Sequence, residues 1–298
     1  MYDIIIIGAG PAGLTSALYA LRANKKVLIF EAKSYGGQII NAVKIENYPG
    51  LTNISGFDFA TTLYNQVKSL GGEFKFETVV KIDNDKKVFT ENGNEYNAKA
   101  IIIATGSANR RLNIENETEF MGKGISYCAT CDGNFFKGKN VAIVGGGQTA
   151  VDDAIYLSDI ANQVYLIYRG EKLNESLNKL DVLTKLTNVK IIFNTNVIKI
   201  NGEDKLTSIT CLDKSKNEEI NLEIDGLFIA VGQQPKNELF ANVVDLDEKG
   251  YIVTNDGVHT KIDGIYVAGD TRVKELRQLT TAVSDGSLAA TIAIKEMK

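Results

Sequence analysis

The chain has 298 residues, 44% of them hydrophobic and 23% charged, a balance that suits two ordinary globular domains and excludes a disordered or low-complexity chain. A net charge of −4 supplies neither a basic footprint for nucleic acid nor a polybasic membrane anchor, and no apolar run reaches the length of a membrane span. Three cysteines, two of them close together as Cys128 and Cys131 with Cys211 alone, argue against a secreted disulfide framework. A strand expected from Asp3 leaves no leader ahead of it, so the expected location is cytoplasmic.

Taken in order, the chain opens on an apolar, β-branched strand, Ile4 to Ile7. The turn Gly8-Ala9-Gly10-Pro11-Ala12-Gly13, a helical pattern from Leu14 to Ala23 and a second strand, Val27 to Phe30, follow. Val79 to Tyr96 alternates as a β-hairpin or meander does, and Ile101 to Ile103 reads as a buried strand before Ala104-Thr105-Gly106. A second strand–glycine turn–helix–strand unit starts at Val141. It runs through Gly145-Gly146-Gly147-Gln148-Thr149-Ala150 and a helix to Ser158, and ends on a strand from Val164 to Tyr168. Asn196 to Leu222 alternates again. A strand from Gly264 to Ala268 and a helix from about Thr280 to Glu296 close the chain.

Two such units far apart predict an α/β protein with two nucleotide-binding, Rossmann-like, three-layer domains. Polar stretches at Asn113–Thr118 and Ala241–Asp247 read as linkers. The second domain, 113–241, is then inserted in the first, 1–112 with 242–298.

Gly8, Gly10 and Gly13 form a G-x-G-x-x-G between strand and helix. The first makes the turn, the second lets a pyrophosphate approach the backbone, and the third lets helix and strand pack closely. Glu31, at the end of the next strand, is placed to bind ribose hydroxyls. The bland alternative is a glycine-rich turn with no ligand, and the motif alone does not separate FAD from NAD.

Cys128-Ala129-Thr130-Cys131-Asp132-Gly133 carries the sharpest chemistry. Two thiols three residues apart can close a disulfide and exchange it with a partner, and Asp132 can manage the proton. The competing readings are half a zinc site and a pair of buried structural cysteines. Zinc lacks ligands, since only Cys211 and His259 remain and neither has a paired spacing, so no metal is expected. Cys211, in an alternating strand, and His259, the only histidine, are expected to be structural.

Ala104-Thr105-Gly106, Gly269-Asp270 and Arg277-Gln278, in this order, resemble the FAD domain of the pyridine-nucleotide-disulfide oxidoreductase superfamily. Gly36-Gly37-Gln38 and Glu46-Asn47-Tyr48-Pro49-Gly50 are similar to flavin-contacting segments of thioredoxin reductases, and Ser126 to Gly133 looks like the active-site segment of the low-molecular-weight, bacterial-type members. The resemblance covers essentially the whole chain. It implies FAD as cofactor, held by Gln38, Asn47, Thr105, Gly106, Asp270, Arg277 and Gln278 beside the glycine turn. It also implies a homodimer with thioredoxin as partner, one cysteine facing the flavin, taken as Cys131, and the other exchanging with thioredoxin.

One segment departs from the family pattern. Gly145, Gly147 and Ala150 fit a dinucleotide turn, but where NADPH-dependent members carry His-Arg-Arg-x-x-x-Arg this chain has Tyr168-Arg169-Gly170-Glu171-Lys172-Leu173-Asn174. Only Arg169 survives. Although only six of the 33 basic residues are Arg, a bias toward Lys would not produce Gly and Asn. Each lost charge-assisted contact to the 2′-phosphate costs on the order of 1.5–3 kcal/mol. The expected donor is therefore reduced ferredoxin, as in the ferredoxin-dependent flavin thioredoxin reductases, with NADPH doubtful. The alternatives are an ordinary NADPH-dependent thioredoxin reductase, a flavin-dependent dithiol oxidase and a non-catalytic redox sensor.

Overall fold

The computed structural model describes residues 1–255 and 257–297. The chain divides into two compact units, one made of Met1–Ala108 with the segment from Gln234 onward, the other of Asn109–Gln233. In each, a parallel sheet carries helices on one face and an antiparallel meander on the other.

In the first unit the strands Tyr2–Ile7, Val27–Phe30, Glu73–Lys75, Ile265–Val267 and the end of Glu95–Ile103 run parallel. Side chains alternate across such a sheet, and the isoleucine run at Ile4–Ile7 buries both sets. Ile4 and Ile6 pack with Ile29, Ala100 and Ile102 against the helices Pro11–Arg22, Gly56–Ser69 and Leu279–Glu296. Ile5 and Ile7 pack with Leu28, Phe30 and Ile101 against Val79, Ile82 and Val88 of the meander. The Val79–Tyr96 alternation appears as the strands Val79–Ile82, Lys87–Thr90 and the start of Glu95–Ile103.

The second unit repeats the plan with a sheet ordered Val189–Ile192, Gln163–Ile167, Asn140–Val144, Gly226–Ile229, Ile125–Ser126. The helix Gln148–Ser158 covers one face through Ala150, Val151, Ala154 and Leu157. The meander Thr195–Gly202, Leu206–Asp213, Glu218–Glu223 covers the other through Ile200, Leu206, Ile209 and Cys211. The ends of this unit lie side by side. Arg110 N–H donates to the Gly232 carbonyl at 3.0 Å, and the Gln233 amide donates to Asn109 Oδ1 at 3.0 Å.

The crossings fall a few residues before both expected linkers, and packing explains the difference. Within Asn113–Thr118, Glu117 is buried and accepts from the Leu112 and Asn113 amides at 3.1 and 2.9 Å and from the Tyr127 hydroxyl. Within Ala241–Asp247, Val243 and Val244 are fully buried in the first unit's core. Both stretches look polar because their anchors, Glu117 in one and the Val243–Val244 pair in the other, sit among mostly polar neighbours. Removing the Glu117 anchor by Glu117→Ala takes the acceptor from two part-buried amides and a phenol, so we expect about 1–3 kcal/mol lower stability by chemical denaturation. A change under about 0.5 kcal/mol would show that the anchor is dispensable.

Among the described residues, no helix is long and apolar enough to cross a membrane.

Candidate active site

The first unit builds a cradle at the carboxyl ends of its parallel strands, where open α/β sheets hold ligands. Gly8 adopts φ +108°, and a Cβ there would lie 2.3 Å from the Ala104 carbonyl oxygen. A Cβ on Gly13 would lie 1.9 Å from the Gly8 carbonyl oxygen, so the helix can pack onto the turn only without a side chain. Gly10 caps the helix and Pro11 takes its first position, which leaves the amino terminus open to anionic groups. Glu31 accepts the Ala9 amide at 3.0 Å through one carboxylate oxygen and the Lys33 amide at 2.9 Å through the other. It therefore fixes the turn as well as presenting an acid beside it.

The remaining expected residues converge on the same unit. Gln38 lies in the short helix Gly37–Asn41, which is tied to the turn by the Gly36 amide donating to the Ala9 carbonyl at 2.8 Å. The Asn47 amide donates to Gln278 Oε1 at 3.0 Å, joining residues far apart in the chain. Gln278 also caps the last helix, in a reciprocal box with Thr281. Gly106 sits at φ +69° after its strand. Thr105 lies 2.9 Å from the Thr271 hydroxyl.

Asp270 gives the cradle an open acceptor. Its Oδ1 is buried without a hydrogen-bond partner, and burial pushes its carboxyl upward while Lys274 and Arg277 partly oppose the shift. A buried acceptor left unpaired is costly, so it points to a ligand donor, such as a hydroxyl, that completes it. Arg277 differs from the other expected ligands. Its guanidinium stacks on the Tyr251 ring at 4.0 Å and donates to the Asp270 and Arg272 carbonyls at 3.4 and 3.2 Å, so it braces the Asp270 turn.

Sequence patterns missed the support beneath this cradle. Asn237 is fully buried, accepts from Thr271 Oγ1 at 2.7 Å and donates to the Thr271 and Gly250 carbonyls at 2.9 Å each. Asp285 accepts from Gly269, Arg272 and Lys274. No motif marks either residue, because the partners come from separate segments.

In the second unit Cys128 and Cys131 form a disulfide with Cα atoms 5.3 Å apart, and both are half-buried. Cys128 caps the one-turn helix Ala129–Asp132, and its carbonyl accepts the Cys131 and Asp132 amides at 3.3 and 3.1 Å. Ser126 was not singled out in the sequence. Its hydroxyl donates to Asp132 Oδ2 at 2.6 Å and accepts the Cys128 amide at 3.0 Å, holding acid and cysteine in one loop. Burial and then the hydrogen bond to Glu117 push the Tyr127 phenol upward, so it stays a neutral donor beside the disulfide.

Cys211 is free and buried, and burial pushes its thiol up to about 12. Iodoacetamide applied to the reduced, folded protein at pH 8 should therefore label the Cys128–Cys131 pair and leave Cys211 unmodified. Stoichiometric Cys211 labelling in peptide mass spectra would contradict its placement. His259 bonds Glu296 at 3.0 Å, which fits the structural role expected for it. Among the described residues no group of three or more His, Cys, Asp or Glu side chains could hold a metal ion.

The second glycine turn is also built. A Cβ on Gly145 would lie 2.4 Å from the Ala230 carbonyl oxygen, and Gly147 caps the helix Gln148–Ser158. Beside it the Tyr168 ring packs against Gly146, where a Cβ would lie 2.1 Å from the ring. Arg169 is exposed, and Lys172 pairs with Glu175 at 3.3 Å. Asp153, on the following helix, is pushed up to about 7 by burial and by its neighbour Asp152.

Residues 2–286 match the family described as pyridine nucleotide-disulphide oxidoreductase. The chain belongs to that family. It is 40% identical over 97% of its length to thioredoxin reductase of Bacillus subtilis, of which it covers 93%. It is 40% identical over 98% of its length to the 34.2 kDa protein in rubredoxin operon of Clostridium pasteurianum, covering 96% of that protein. Its fold superposes with TM-score 0.94 on the crystal structure of thioredoxin reductase from Streptococcus pyogenes, at 39% identity and with 99% and 98% of the two chains covered. As a member of the pyridine nucleotide-disulphide oxidoreductase family, the chain is an FAD-dependent disulfide oxidoreductase. The cradle fits that cofactor: an open helix amino terminus for the pyrophosphate, glycines that permit close approach, and a buried acceptor at Asp270.

Proposed function

We propose that this chain is a thioredoxin reductase whose reducing electrons come from reduced ferredoxin. The closed Cys128–Cys131 disulfide, half-buried beside Asp132, carries the first half of the reading. FAD, when bound, supplies two electrons to this disulfide. With two protons taken up, the S–S bond opens to a dithiol. One cysteine, as thiolate, attacks the disulfide of thioredoxin and forms a mixed disulfide. The other cysteine displaces the thioredoxin thiol, restoring Cys128–Cys131 and releasing reduced thioredoxin. Asp132, fixed by Ser126, is placed to pass the proton at the cysteines. Cys131 is assigned as the sulfur nearer the flavin and Cys128 as the exchanging one. Gly8, Gly10, Gly13 and Glu31 would hold the adenosine and pyrophosphate, and Gln38, Asn47, Thr105, Gly106, Asp270 and Gln278 the riboflavin part, with Arg277 bracing Asp270.

The donor assignment rests on the segment after the second glycine turn. Arg169 and Lys172 are matched by Glu171 and Glu175, and Lys172 already pairs with Glu175. A 2′-phosphate dianion finds no net positive charge there. The well-formed turn at Gly145–Gly147 favours the second reading, an ordinary NADPH-dependent enzyme. Anaerobic turnover with thioredoxin, comparing reduced ferredoxin, NADPH and NADH, separates them. Ferredoxin, a one-electron donor, should support turnover at two equivalents per disulfide. NADPH turnover at a typical enzyme rate of roughly 1–1000 per second with a micromolar Michaelis constant would sink the ferredoxin assignment and leave the thioredoxin reductase reading intact. A homodimer and a cytoplasmic location are part of the same proposal. Light scattering at a mass of 32.5 kDa, that of one chain, would remove the dimer.

A further inference from the structure

We infer that Asp285 is a positioning residue for the cofactor, which keeps Asp270 available to FAD by occupying a cation that would otherwise capture it. This rests on the reading that Asp270 binds the flavin's ribityl chain.

The turn Gly269–Thr271 presents Asp270. Gly269 adopts φ +80° and lies against the first helix, since a Cβ on it would fall 2.8 Å from the Ala12 Cβ. Asp285, on the last helix, grips the turn from both sides. Its Oδ2 accepts the Gly269 amide at 3.0 Å, before Asp270, and Arg272 Nε at 2.9 Å and Lys274 Nζ at 2.8 Å, after it. Its Oδ1 accepts Arg272 Nη2 at 3.0 Å. The Asp285 and Lys274 side chains are only 9% and 6% exposed. Burial alone would raise the Asp285 carboxyl, but the hydrogen bonds from Arg272 and Lys274 prevail and hold it below the usual carboxylate range. Asp285 is therefore charged.

Two cations and one carboxylate leave one positive charge in a buried cluster, and Asp270 is the carboxylate beside it. Lys274 and Arg277 act on Asp270 through space, yet its Oδ1 has no hydrogen-bond partner. Buried cations do not stay unpaired. Without Asp285, Lys274, the cation of the pair that already acts on Asp270, would turn to it, and the acceptor meant for the cofactor would become half of an ion pair.

The test strips FAD from the full chain and measures its rebinding by flavin absorbance, with apoprotein unfolding measured alongside. Asp285→Asn should weaken FAD by about tenfold or more. Asp285→Asn with Lys274→Met should recover much of that loss, because the competing cation is gone. Glu296→Gln, which loosens the far end of the same helix by weakening its bonds to His259 and Tyr266, should lower stability without moving FAD affinity. If Asp285→Asn binds FAD like the parent while Asp270→Asn does not, the positioning role is overturned. If the double variant is no better than Asp285→Asn, Asp285 only stabilises the fold, and the inference fails. If Asp270→Asn itself keeps parental affinity, the underlying Asp270 reading is wrong. The double variant retains Arg272 and lacks both members of the Lys274–Asp285 pair, so it is informative even where the single variant does not fold.

Discussion

Cys128→Ser and Cys131→Ser should each bring thioredoxin reduction to background while leaving FAD bound. Exchange of a disulfide needs one sulfur to form the mixed disulfide and another to resolve it, and a hydroxyl does neither. Both cysteines lie in the unit Asn109–Gln233, whereas the cradle with Gly8, Glu31 and Asp270 lies wholly in the other unit, so the flavin spectrum should persist. Folding should persist as well. The disulfide closes a loop with a sequence separation of 3, and loops this short restrict the unfolded chain little. The two variants should differ in one respect. The variant that keeps the exchanging cysteine should be trapped as a mixed disulfide by thioredoxin that lacks its own resolving cysteine and carries thionitrobenzoate on the remaining one, the thionitrobenzoate leaving as the new S–S bond forms, and the other should not. We expect the trap with Cys131→Ser. Substantial turnover by either variant would overturn the chemistry assigned to the pair, and trapping of Cys128→Ser alone would reverse the order of the two sulfurs.

A gain of function is expected at the second glycine turn. Installing Tyr168→His, Gly170→Arg and Asn174→Arg together should tighten NADPH by roughly a hundredfold or more, since two charge-assisted contacts to the 2′-phosphate are each worth on the order of 1.5–3 kcal/mol. The substitution at 168 is needed because of packing. A Cβ at 170 would lie 2.7 Å from the Tyr168 ring, so Gly170→Arg alone conflicts with that tyrosine. NADH, which lacks the phosphate, should change little and serves as the control. Equal gains for both nucleotides would show that the ring, and not the missing charge, limits binding. A parent that already binds NADPH with micromolar affinity would defeat the prediction outright.

Much of the fold is legible in the sequence because its strongest signals are local. Ile4–Ile7, Val27–Phe30 and the two glycine turns specify strand, turn and helix within a few residues, and Val27–Phe30 forms over the expected span. The alternation at Asn196–Leu222 becomes a meander because one face packs on the sheet while the other stays in solvent. The boundaries were less readable. Glu117 looks like any surface acid until Leu112, Asn113 and Tyr127 are seen to converge on it, and Val243 and Val244 are too short a run to announce a core. The same holds at the cradle. Gly8, Gly13 and Asp270 are marked by their motifs, but Asn237, Thr271 and Asp285 act through partners distant in sequence, and no spacing rule reaches them. Arg277 sits where expected, but its stacking on the Tyr251 ring was not readable, because the two residues are distant in sequence.

The adjacent ends of the inserted unit have a consequence for synthesis. Once Gln233 has left the ribosome, everything the second unit needs has been made, and its amino- and carboxyl-terminal residues can meet through Arg110 and Gly232. The first unit must wait. Its strand Glu95–Ile103 lacks the neighbour Ile265–Val267, and its first helix lacks the last helix, with Ser16 still missing the Gly286 carbonyl. The part of the protein made first is thus completed last, and its isoleucine-rich strands stay open until translation is nearly over. Flavin supply should therefore act late, on a nascent chain whose redox loop has already folded, and nascent chains that stall before Asp270 would expose a sticky half-sheet to chaperones.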